Sequence, residues 1–299
     1  MRILVTGGSG YLGSAAVPAL RSRGHEVIPI GRHPDTDAYN CDLTDRDGVQ
    51  GAVRASGDCD AVVHLAARAH DFRGMTLEDF LAANTTTTSN IIAALRTEGR
   101  IAAVRFVHAS SVAVYELLDT ERKLSAEEAP YAASKLLAEK LLYAEPFQHL
   151  CVLRFAPVYD RHRLQDVAKR VCLPGTGLKL RLYPPPVHSL CSLDRAVAGI
   201  VTALETATPP ERQLANVADD APISQDQLLG WFPGLALPVP TSLLRVLADG
   251  ISLCGTKGRK VSQLIGKFAS SSTYPEPDWQ STLAWPDRPG PVRPGCCSS

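Results

Sequence analysis

A tyrosine and a lysine lie four residues apart in the stretch APYAASKLLAEK, residues 129–140. Positions i and i+4 share one face of a helix, so Tyr131 and Lys135 would stand side by side if this apolar run is helical. An ammonium beside a phenol stabilises the phenolate and lowers the phenol pKa from about 10 towards neutrality. Such a pair can act as acid and base near neutral pH. The same spacing also occurs in ordinary exposed helices, where neither residue has a chemical role. The rest of the chain must therefore decide between a catalytic pair and an ordinary helix.

Short apolar segments in the first half of the chain predict β-strands, and helix-like stretches separate them. Strands that read as nearly continuous apolar runs between helices indicate a parallel sheet covered on both faces. The sequence therefore predicts a doubly wound α/β fold of the Rossmann type. The predicted strands are residues 2–6, 25–30, 61–66, 104–110 and 149–155, and the predicted helices are residues 11–23, 45–56, 77–98 and 131–144.

The pattern loosens after about residue 160, where prolines break up shorter elements. We expect a dinucleotide-binding domain over residues 1–160 and a smaller substrate-binding lobe over residues 161–285, with segments at about 187–218 returning to the first domain. The Pro- and Gly-rich residues 286–299 are expected to form a disordered tail. The second half contains predicted helices near 193–205, 224–231 and 242–252 and a predicted strand at 213–218.

A glycine-rich turn, TGGSGYLG (residues 6–13), joins the first predicted strand to the first predicted helix. Gly7, Gly10 and Gly13 permit a tight turn, close approach of the backbone to a pyrophosphate, and close packing of helix on strand. The helix N-terminus offers free N–H groups and a partial positive charge to phosphates. This context favours a dinucleotide site over a plain tight turn.

The residues after the second predicted strand bear on the choice of cofactor. A dinucleotide-binding strand at this place normally ends in an acid that binds the adenosine ribose diol, but here Gly31, Arg32 and His33 follow. Without a carboxylate a 2′-phosphate meets no repulsion, and the Arg32 guanidinium can make a forked contact to it. We therefore predict NADP, with NAD as the alternative; an exposed loop arginine is the competing interpretation of Arg32.

Seven motifs in the same order as in a known family now give the chain a recognisable resemblance. It resembles an extended short-chain dehydrogenase/reductase, of the NAD(P)-dependent sugar-nucleotide epimerase/dehydratase family, over about residues 1–160, and more weakly through VHSLCSLDRAV (187–197). Within that family it is most similar to nucleotide-sugar 4-epimerases and related 4-keto-reductases or dehydrogenases. The motifs are TGGSGYLG, CDLTD (41–45), VVHLAA (62–67), Asn84, ASSVAVY (109–115), YAASK (131–135) and LRFAPVY (153–159).

The resemblance implies roles for individual residues. Ser111, Tyr131 and Lys135 match the catalytic triad, in which the serine bonds the reacting oxygen and the lysine also bonds the nicotinamide ribose. Asn84 would support the active-site helix. The implied cofactor-binding residues are Gly7, Gly10, Tyr11, Leu12, Gly13, Arg32, Asp42, Leu43, Leu65, Ala66, Ala67, Asn84, Tyr131, Lys135, Pro157 and Val158. Tyr115, Tyr159 and His188 are candidates for the substrate pocket, although core or surface roles for the two tyrosines are equally open.

Departures from the family pattern concern the substrate more than the redox chemistry. Asp160 and Arg161 follow the V-Y pair where the family commonly has Gly-Pro, and His188 stands where many nucleotide-sugar enzymes carry an arginine for the substrate diphosphate. Val112 and Ala113 follow Ser111, where family 4,6-dehydratases have an Asp-Glu pair. We therefore expect hydride transfer at one carbon, without loss of water.

Composition excludes several classes of function. Lys+Arg and Asp+Glu both number 31, so net charge gives no argument for a nucleic-acid partner. No apolar run approaches the roughly 20 residues of a membrane span, and the start has no basic n-region or cleavage site, so a cytoplasmic protein without a membrane partner is expected. The 8 cysteines include no C-x-x-C pair and predict neither a metal site nor a disulfide framework.

Together these patterns predict an NAD(P)-dependent enzyme that moves a hydride between nicotinamide C4 and a secondary alcohol or ketone, at C4 of a nucleotide sugar. It would act as a 4-epimerase or as a 4-keto-reductase/dehydrogenase. Two alternatives stay open: a carbonyl reductase acting on a non-nucleotide small molecule, and a non-catalytic NADP-binding regulator. The resemblance also implies a homodimer through helices at about 77–98 and 131–144.

Overall fold

The computed structural model describes residues 1–32, 39–69, 74–119, 124–173, 176–252, 258, 261–262, 265–266 and 268–274. The chain divides into two compact units. The first unit comprises Met1–Phe155 and Asp194–Val217, and the second comprises Ala156–Leu193 and the described residues from Ala218 onward. The tail expected at residues 286–299 lies outside the described residues. No helix among the described residues is long and apolar enough to cross a membrane.

Strands and helices alternate through most of the first unit, and shorter elements make up the second; the elements of both units follow in chain order. The strands are β1 (Arg2–Thr6), β2 (Glu26–Ile30), β3 (Ala61–His64), β4 (Arg105–Ser111), β5 (His149–Phe155), β6 (Val158–Tyr159), β7 (Lys179–Tyr183), β8 (Val187–His188), β9 (Cys191–Ser192), β10 (Arg212–Val217), β11 (Ile223–Ser224) and β12 (Ala236–Pro240). The α-helices are α1 (Tyr11–Ser22), α2 (Arg46–Ala55), α3 (Leu77–Phe80), α4 (Thr87–Thr97), α5 (Tyr115–Leu118), α6 (Pro130–Tyr143), α7 (Gln165–Ala168), α8 (Leu193–Glu205), α9 (Gln225–Leu229) and α10 (Thr241–Ser252).

A parallel sheet lies at the centre of the first unit. Within the described residues its six strands have the order β10-β5-β4-β3-β1-β2, and every neighbouring pair is parallel. The chain runs from β1 outward to β2 and then crosses to β3 on the other side, so the order reverses between β1 and β3. Ligands of open α/β sheets bind outside the carboxyl ends of the strands at such a reversal. The predicted Rossmann-type fold is confirmed.

The strands form because their side chains are apolar on both faces, as in a doubly covered parallel sheet. Every residue of β3 is buried, as are the five central residues of β4. The helices α2, α4 and α6 contribute to one apolar cluster with alternate strand residues, which include Val62, Phe106 and Leu150. This packing fixes the carboxyl ends of the strands, where the candidate site residues lie.

Pairs of short strands characterise the second unit. Within its described part β6 pairs with β9 and β7 with β12, both in parallel, while β8 and β11 are antiparallel. The sequence analysis expected prolines after residue 160 to break up elements, but β12 forms with Pro238 and Pro240 inside it. Proline lacks a backbone N–H and is confined to strand edges, and β12 pairs only with β7 among the described strands.

Candidate active site

The loop between β1 and α1 is shaped by glycine. Gly7 has a φ of 71°, and a Cβ at this residue would lie 2.5 Å from the backbone nitrogen of Ala66. A Cβ at Gly13 would collide with the carbonyl oxygen of Gly7. Gly10 caps α1 without a side-chain hydrogen bond, and the first helical turn has no acidic residue. This helix N-terminus therefore has the free N–H groups and the space that a pyrophosphate requires.

Gly31 occupies the position after β2 at which an NAD-binding protein normally has an acidic residue. It is buried with a φ of 120°, a conformation that L side chains rarely adopt. Arg32 follows as an exposed residue, and its carbonyl oxygen accepts a hydrogen bond of 3.0 Å from the Ser9 hydroxyl. The backbone of Arg32 is thereby held against the glycine loop. His33 lies outside the described residues.

Asp42 and Leu43 lie in a short turn after β2 that α4 holds in place. The carboxylate of Asp42 accepts from the backbone N–H and the hydroxyl of Thr44, and these hydrogen bonds lower the pKa of Asp42. The side-chain amide of Asn90 donates to the carbonyl oxygens of Leu43 and Thr44, at 3.0 and 3.1 Å. No sequence pattern indicated a role for Asn90, because its acceptors lie 46 and 47 residues away along the chain.

The helix α6 is continuous through Tyr131 and Lys135, with proline at its first position, where the missing N–H costs nothing. Lys135 is only 1% exposed, and its Nζ donates to the carbonyl oxygen of Ala109 in β4 at 2.6 Å. Burial lowers the pKa of Lys135 to about 8. Tyr131 is partly exposed, with its ring edge-on to Phe80 at 6.0 Å between centroids. A buried cation and a partly exposed phenol thus lie on one helix.

Ser111 ends β4, two residues after the carbonyl that Lys135 contacts. Its hydroxyl oxygen accepts from the N–H of Ala113 at 3.2 Å and caps a 3₁₀ turn over Val112–Val114. The side chain is partly exposed. Strand β4 therefore positions both the candidate serine and the acceptor of the candidate lysine.

Asn84 lies in a π-helical stretch, Leu81–Thr86, between α3 and α4. Its side-chain amide accepts from the N–H of Arg68 at 2.7 Å and donates to the carbonyl of the same residue at 3.1 Å. It also donates to Ser134 at 2.9 Å, and the Ser134 hydroxyl donates to the carbonyl oxygen of Tyr131 at 2.8 Å. Asn84 thus ties the segment after β3, which contains the candidate residues Leu65, Ala66 and Ala67, to α6.

Tyr115, a candidate for the substrate pocket, is held at both its hydroxyl and its ring. The hydroxyl donates to the side chain of Asn216 at 3.0 Å, and the guanidinium of Arg154 lies 4.8 Å from the ring centroid. Arg154 itself forms a buried bidentate pair with Glu139, with contacts of 3.0 and 2.6 Å. The carboxylate also accepts from Ser110. No sequence pattern indicates Glu139 as the partner of Arg154, because the two residues lie in different elements.

Tyr11 and Leu12 lie in the first turn of α1, and the other remaining candidates lie in the second unit. Pro157 accepts from the backbone N–H of Cys191, and Val158 belongs to β6. Tyr159 is 2% exposed and donates its hydroxyl to Asp219 at 2.9 Å.

His188 is fully buried, and its Nδ1 lies within hydrogen-bond distance of Arg170 and Ser272. Burial, with Arg170 adding to it, lowers the pKa of His188 to about 3. Tyr159 and His188 are both buried inside the second unit; the Tyr159 hydroxyl bonds to Asp219, whereas Nε2 of His188 has no hydrogen-bond partner among the described residues. Their assignment to the substrate pocket stays a prediction.

Comparison with known proteins gives a family match and several relatives. The model described as "NAD dependent epimerase/dehydratase family" matches residues 3–172. A 2-alkyl-3-oxoalkanoate reductase of Stenotrophomonas maltophilia is 33% identical over 173 residues, 52% of this chain and 50% of that protein. A UDP-glucose 4-epimerase of Streptococcus mutans is 29% identical over 160 residues, 48% of this chain and 46% of that protein. The chain spans about half the length of these two relatives.

A longer match is to the 3-diazoavenalumate denitrifying reductase of a Streptomyces species, 29% identical over 276 residues, 83% of this chain and 86% of that protein. Among solved structures, the UDP-Glc/GlcNAc 4-epimerase from Campylobacter jejuni has a TM-score of 0.65 at 20% identity and covers 80% of this chain and 86% of its own. A short-chain dehydrogenase/reductase superfamily protein from Agrobacterium tumefaciens, with bound NAD, has a TM-score of 0.61 at 23% identity with the same coverage. At these identities the structural likeness establishes the fold.

Proposed function

The chain belongs to the NAD dependent epimerase/dehydratase family, whose members are NAD(P)-dependent epimerases, dehydratases and reductases, and from this we propose that it transfers a hydride at C4 of a nucleotide sugar with NADP as cofactor. It acts as a 4-epimerase or as a 4-keto-reductase/dehydrogenase. The observation that carries this proposal is the buried Lys135 on the same helical face as Tyr131, with Ser111 at the end of the strand to which Lys135 bonds.

Each residue of this group has a separate task. Tyr131 gives a proton to the substrate oxygen during reduction and takes it back during oxidation. The charge of Lys135 stabilises the phenolate form of Tyr131, and the hydroxyl of Ser111 bonds the same substrate oxygen. A bound nicotinamide supplies or accepts the hydride. The groups needed on the protein side are thus an acid/base, a cation that tunes it and a hydroxyl that orients the carbonyl.

The glycine loop supports the proposal of dinucleotide binding. A Cβ at Gly7 or Gly13 would collide with backbone atoms, so both positions require glycine, as in the phosphate-binding turn of dinucleotide-binding folds. The choice of NADP rests on the exposed Arg32, which follows a glycine whose positive φ would strain an acidic residue in its place. A guanidinium can bond a 2′-phosphate through two N–H groups. The implied cofactor residues from Gly7 to Lys135 belong to the first unit.

We assign substrate binding to the lobe predicted at residues 161–285 and cofactor binding to residues 1–160. The assembly proposed is a homodimer through α4 and α6. Leu137, which is 41% exposed on α6, supports this choice because a large apolar side chain on a helix face is stabilised by burial against a partner.

A second candidate function is reduction of a ketone on a non-nucleotide small molecule. Two observations favour it. Two of the relatives are named as reductases of other compounds, and His188, which was expected at the place of a diphosphate-binding arginine, is buried. In this case the chemistry at Tyr131 is unchanged, and only the group recognised by the second unit differs.

The test is a thermal-shift panel with NADP and NAD, each alone and with UDP-hexoses, dTDP-hexoses or β-keto acids. A ligand that binds only the folded protein raises its stability by RT ln(1 + [L]/Kd). We expect the largest shift with NADP plus a nucleotide hexose. A shift with NADP and a β-keto acid alone would favour the second candidate, and a larger shift with NAD than with NADP would overturn the choice of cofactor.

A further inference from the structure

Two histidines are buried at neighbouring positions in the sheet, but only one of them has hydrogen-bond partners. His64 of β3 stacks on His108 of β4, with 5.4 Å between ring centroids and 22° between planes. Both ring nitrogens of His108 lack a partner among the described residues. In His64, Nδ1 lies 2.6 Å from the hydroxyl of Thr6 and Nε2 lies 3.0 Å from the hydroxyl of Thr88.

The contacts around His64 fix the position of every proton. Burial lowers the pKa of His64 to about 3, so the ring is neutral and bears one proton. Thr88 donates its single hydroxyl proton to the carbonyl oxygen of Asn84 at 2.7 Å, and its oxygen must therefore accept from Nε2 of His64. Nδ1 then has no proton and accepts from Thr6, whose oxygen accepts from the N–H of Ala66 at 3.4 Å.

These bonds form a chain in one direction, from Ala66 through Thr6, His64 and Thr88 to Asn84, which we name the His64 chain. The first residue lies against the glycine loop, since a Cβ at Gly7 would meet Ala66 directly.

The last residue of the chain, Asn84, uses its side chain to hold Ser134, which in turn bonds the carbonyl oxygen of Tyr131. The His64 chain therefore extends from the residue beside the phosphate cradle to the support of the helix that contains the proposed acid/base.

We propose that His64 is a positioning residue that couples dinucleotide binding at the glycine loop to the position of Tyr131 on α6. This inference rests on the proposed function. A neutral imidazole with one fixed tautomer suits the task, because it accepts on one side and donates on the other and so transmits a displacement of Ala66 without a change in charge. A buried hydrogen-bond network of this kind holds its members in one arrangement only while every donor is satisfied.

The chain offers a matched pair of variants to test this. Thr87 and Thr88 are adjacent, buried and chemically identical. Both donate to the carbonyl oxygen of Asn84, and Thr87 also donates to that of Ala83, but the contact to His64 is made by Thr88. Thr88→Val removes the acceptor of His64 Nε2, and Thr88→Ser keeps it. Thr87→Val removes a donor to the same Asn84 carbonyl oxygen but no contact to His64. Each protein is labelled with ¹³C at tyrosine Cζ, and the Tyr131 resonance is followed while NADP, or NAD in a parallel sample, is titrated.

We expect saturating cofactor to shift the Tyr131 resonance in the wild type, in Thr88→Ser and in Thr87→Val. In Thr88→Val we expect the shift to fall at least about threefold, while the cofactor Kd measured by calorimetry changes by less than about threefold. A full response in Thr88→Val, or an equal loss in Thr87→Val, would overturn the coupling role and leave the proposed function intact. If neither dinucleotide binds, both proposals fall.

Discussion

The amine of Lys135 is buried in the first unit, where it donates a hydrogen bond to the backbone carbonyl oxygen of Ala109. Glu139, one helical turn further on, raises the pKa of Lys135, but burial outweighs it and lowers the pKa from 10.5 to about 8. The unfolded chain therefore binds a proton between about pH 8 and pH 10.5 that the folded chain lacks. The free energy of unfolding rises with pH through this window, and below it the full cost of burying the charge is present.

Lys135→Met should remove this dependence. The measured quantity is the free energy of unfolding of Lys135→Met minus that of the wild type. This difference should be roughly 2–3 kcal/mol more positive at about pH 7 than at about pH 10, because a displaced pKa contributes about 1.4 kcal/mol per unit. Urea unfolding of both proteins at the two pH values measures it. Lys140→Met, which changes an exposed lysine of the same helix, is the control and should retain the wild-type dependence. An equal response in the two variants would contradict the assignment to Lys135.

Tyr131→Phe should abolish turnover while leaving dinucleotide affinity within about twofold, because the phenol donates and accepts the proton but contributes little to cofactor binding. Acid/base groups contribute about 10²–10⁴-fold to rate. Tyr143→Phe in the same helix is the matched control, since its hydroxyl is buried without a partner among the described residues. Steady-state rates and calorimetry measure the two effects. Full activity in Tyr131→Phe would refute its role.

Arg32→Ala should weaken NADP binding roughly 10–150-fold and leave NAD binding nearly unchanged, because one charge-assisted hydrogen bond contributes about 1.5–3 kcal/mol. Substitution of Gly31 by an acid is not a useful companion, because the positive φ of Gly31 strains any side chain. Arg54→Ala, an exposed arginine on α2, controls for the loss of one positive charge. Equal weakening of NADP binding and NAD binding would show that Arg32 does not bind the 2′-phosphate.

At the scale of elements, the contact between α1 and the glycine loop allows a sharper comparison. Gly13 lies in α1 and Gly51 in α2, but a Cβ would collide with Gly7 in the first case and meet nothing within 4 Å in the second. Alanine is favoured over glycine by about 0.5–1 kcal/mol in a helix interior, so Gly51→Ala should stabilise the protein. Gly13→Ala should lower the melting temperature and weaken dinucleotide binding, because the loop must move. Thermal unfolding with and without NADP distinguishes the two.

The sequence predicted β1 and β5 with their observed ends, because a buried parallel strand is an uninterrupted apolar run with polar or turn residues on either side. It predicted a single helix over residues 77–98, where the structure has α3, a π-helical stretch and α4. The π-helical stretch is held from outside, since Asn84 and Thr85 both bond to Ser134 of α6. Local periodicity contains no information about that contact.

In the candidate site too, the sequence predicted what depends on local spacing and did not predict contacts between residues far apart along the chain. The spacing of Tyr131 and Lys135 predicted a shared helical face, but the acceptor of Lys135 is Ala109, 26 residues away. Tyr159 was a candidate for the substrate pocket, with a core or surface role equally open. Its hydroxyl bonds to Asp219, 60 residues further on, and a sequence pattern does not distinguish such a buried hydroxyl from one that faces a ligand.

For the molecule as a whole, the proposed division of labour places every proton and hydride step on the first unit and substrate recognition on the second. Tyr131, Lys135 and Ser111 all belong to Met1–Phe155. The residues that hydrogen-bond to them, Ser134, Ala109 and Ala113, come from the same unit. The net reaction at the substrate is therefore limited by the side chains that this unit presents next to Ser111.

We expect that those side chains do not support elimination. Loss of the 6-hydroxyl from a hexose requires one acid to protonate the departing oxygen and one base to remove the C5 proton, and family dehydratases place Asp and Glu directly after the active-site hydroxyl for these steps. Here Val112 and Ala113 follow Ser111, and Val112 is 4% exposed. Incubation with NADP or NAD and UDP- or dTDP-hexoses should therefore give only epimer, ketone or alcohol by mass spectrometry. No residue of the turn Val112–Val114 has a side chain that can give or take a proton. A product lighter by one water would therefore contradict this expectation.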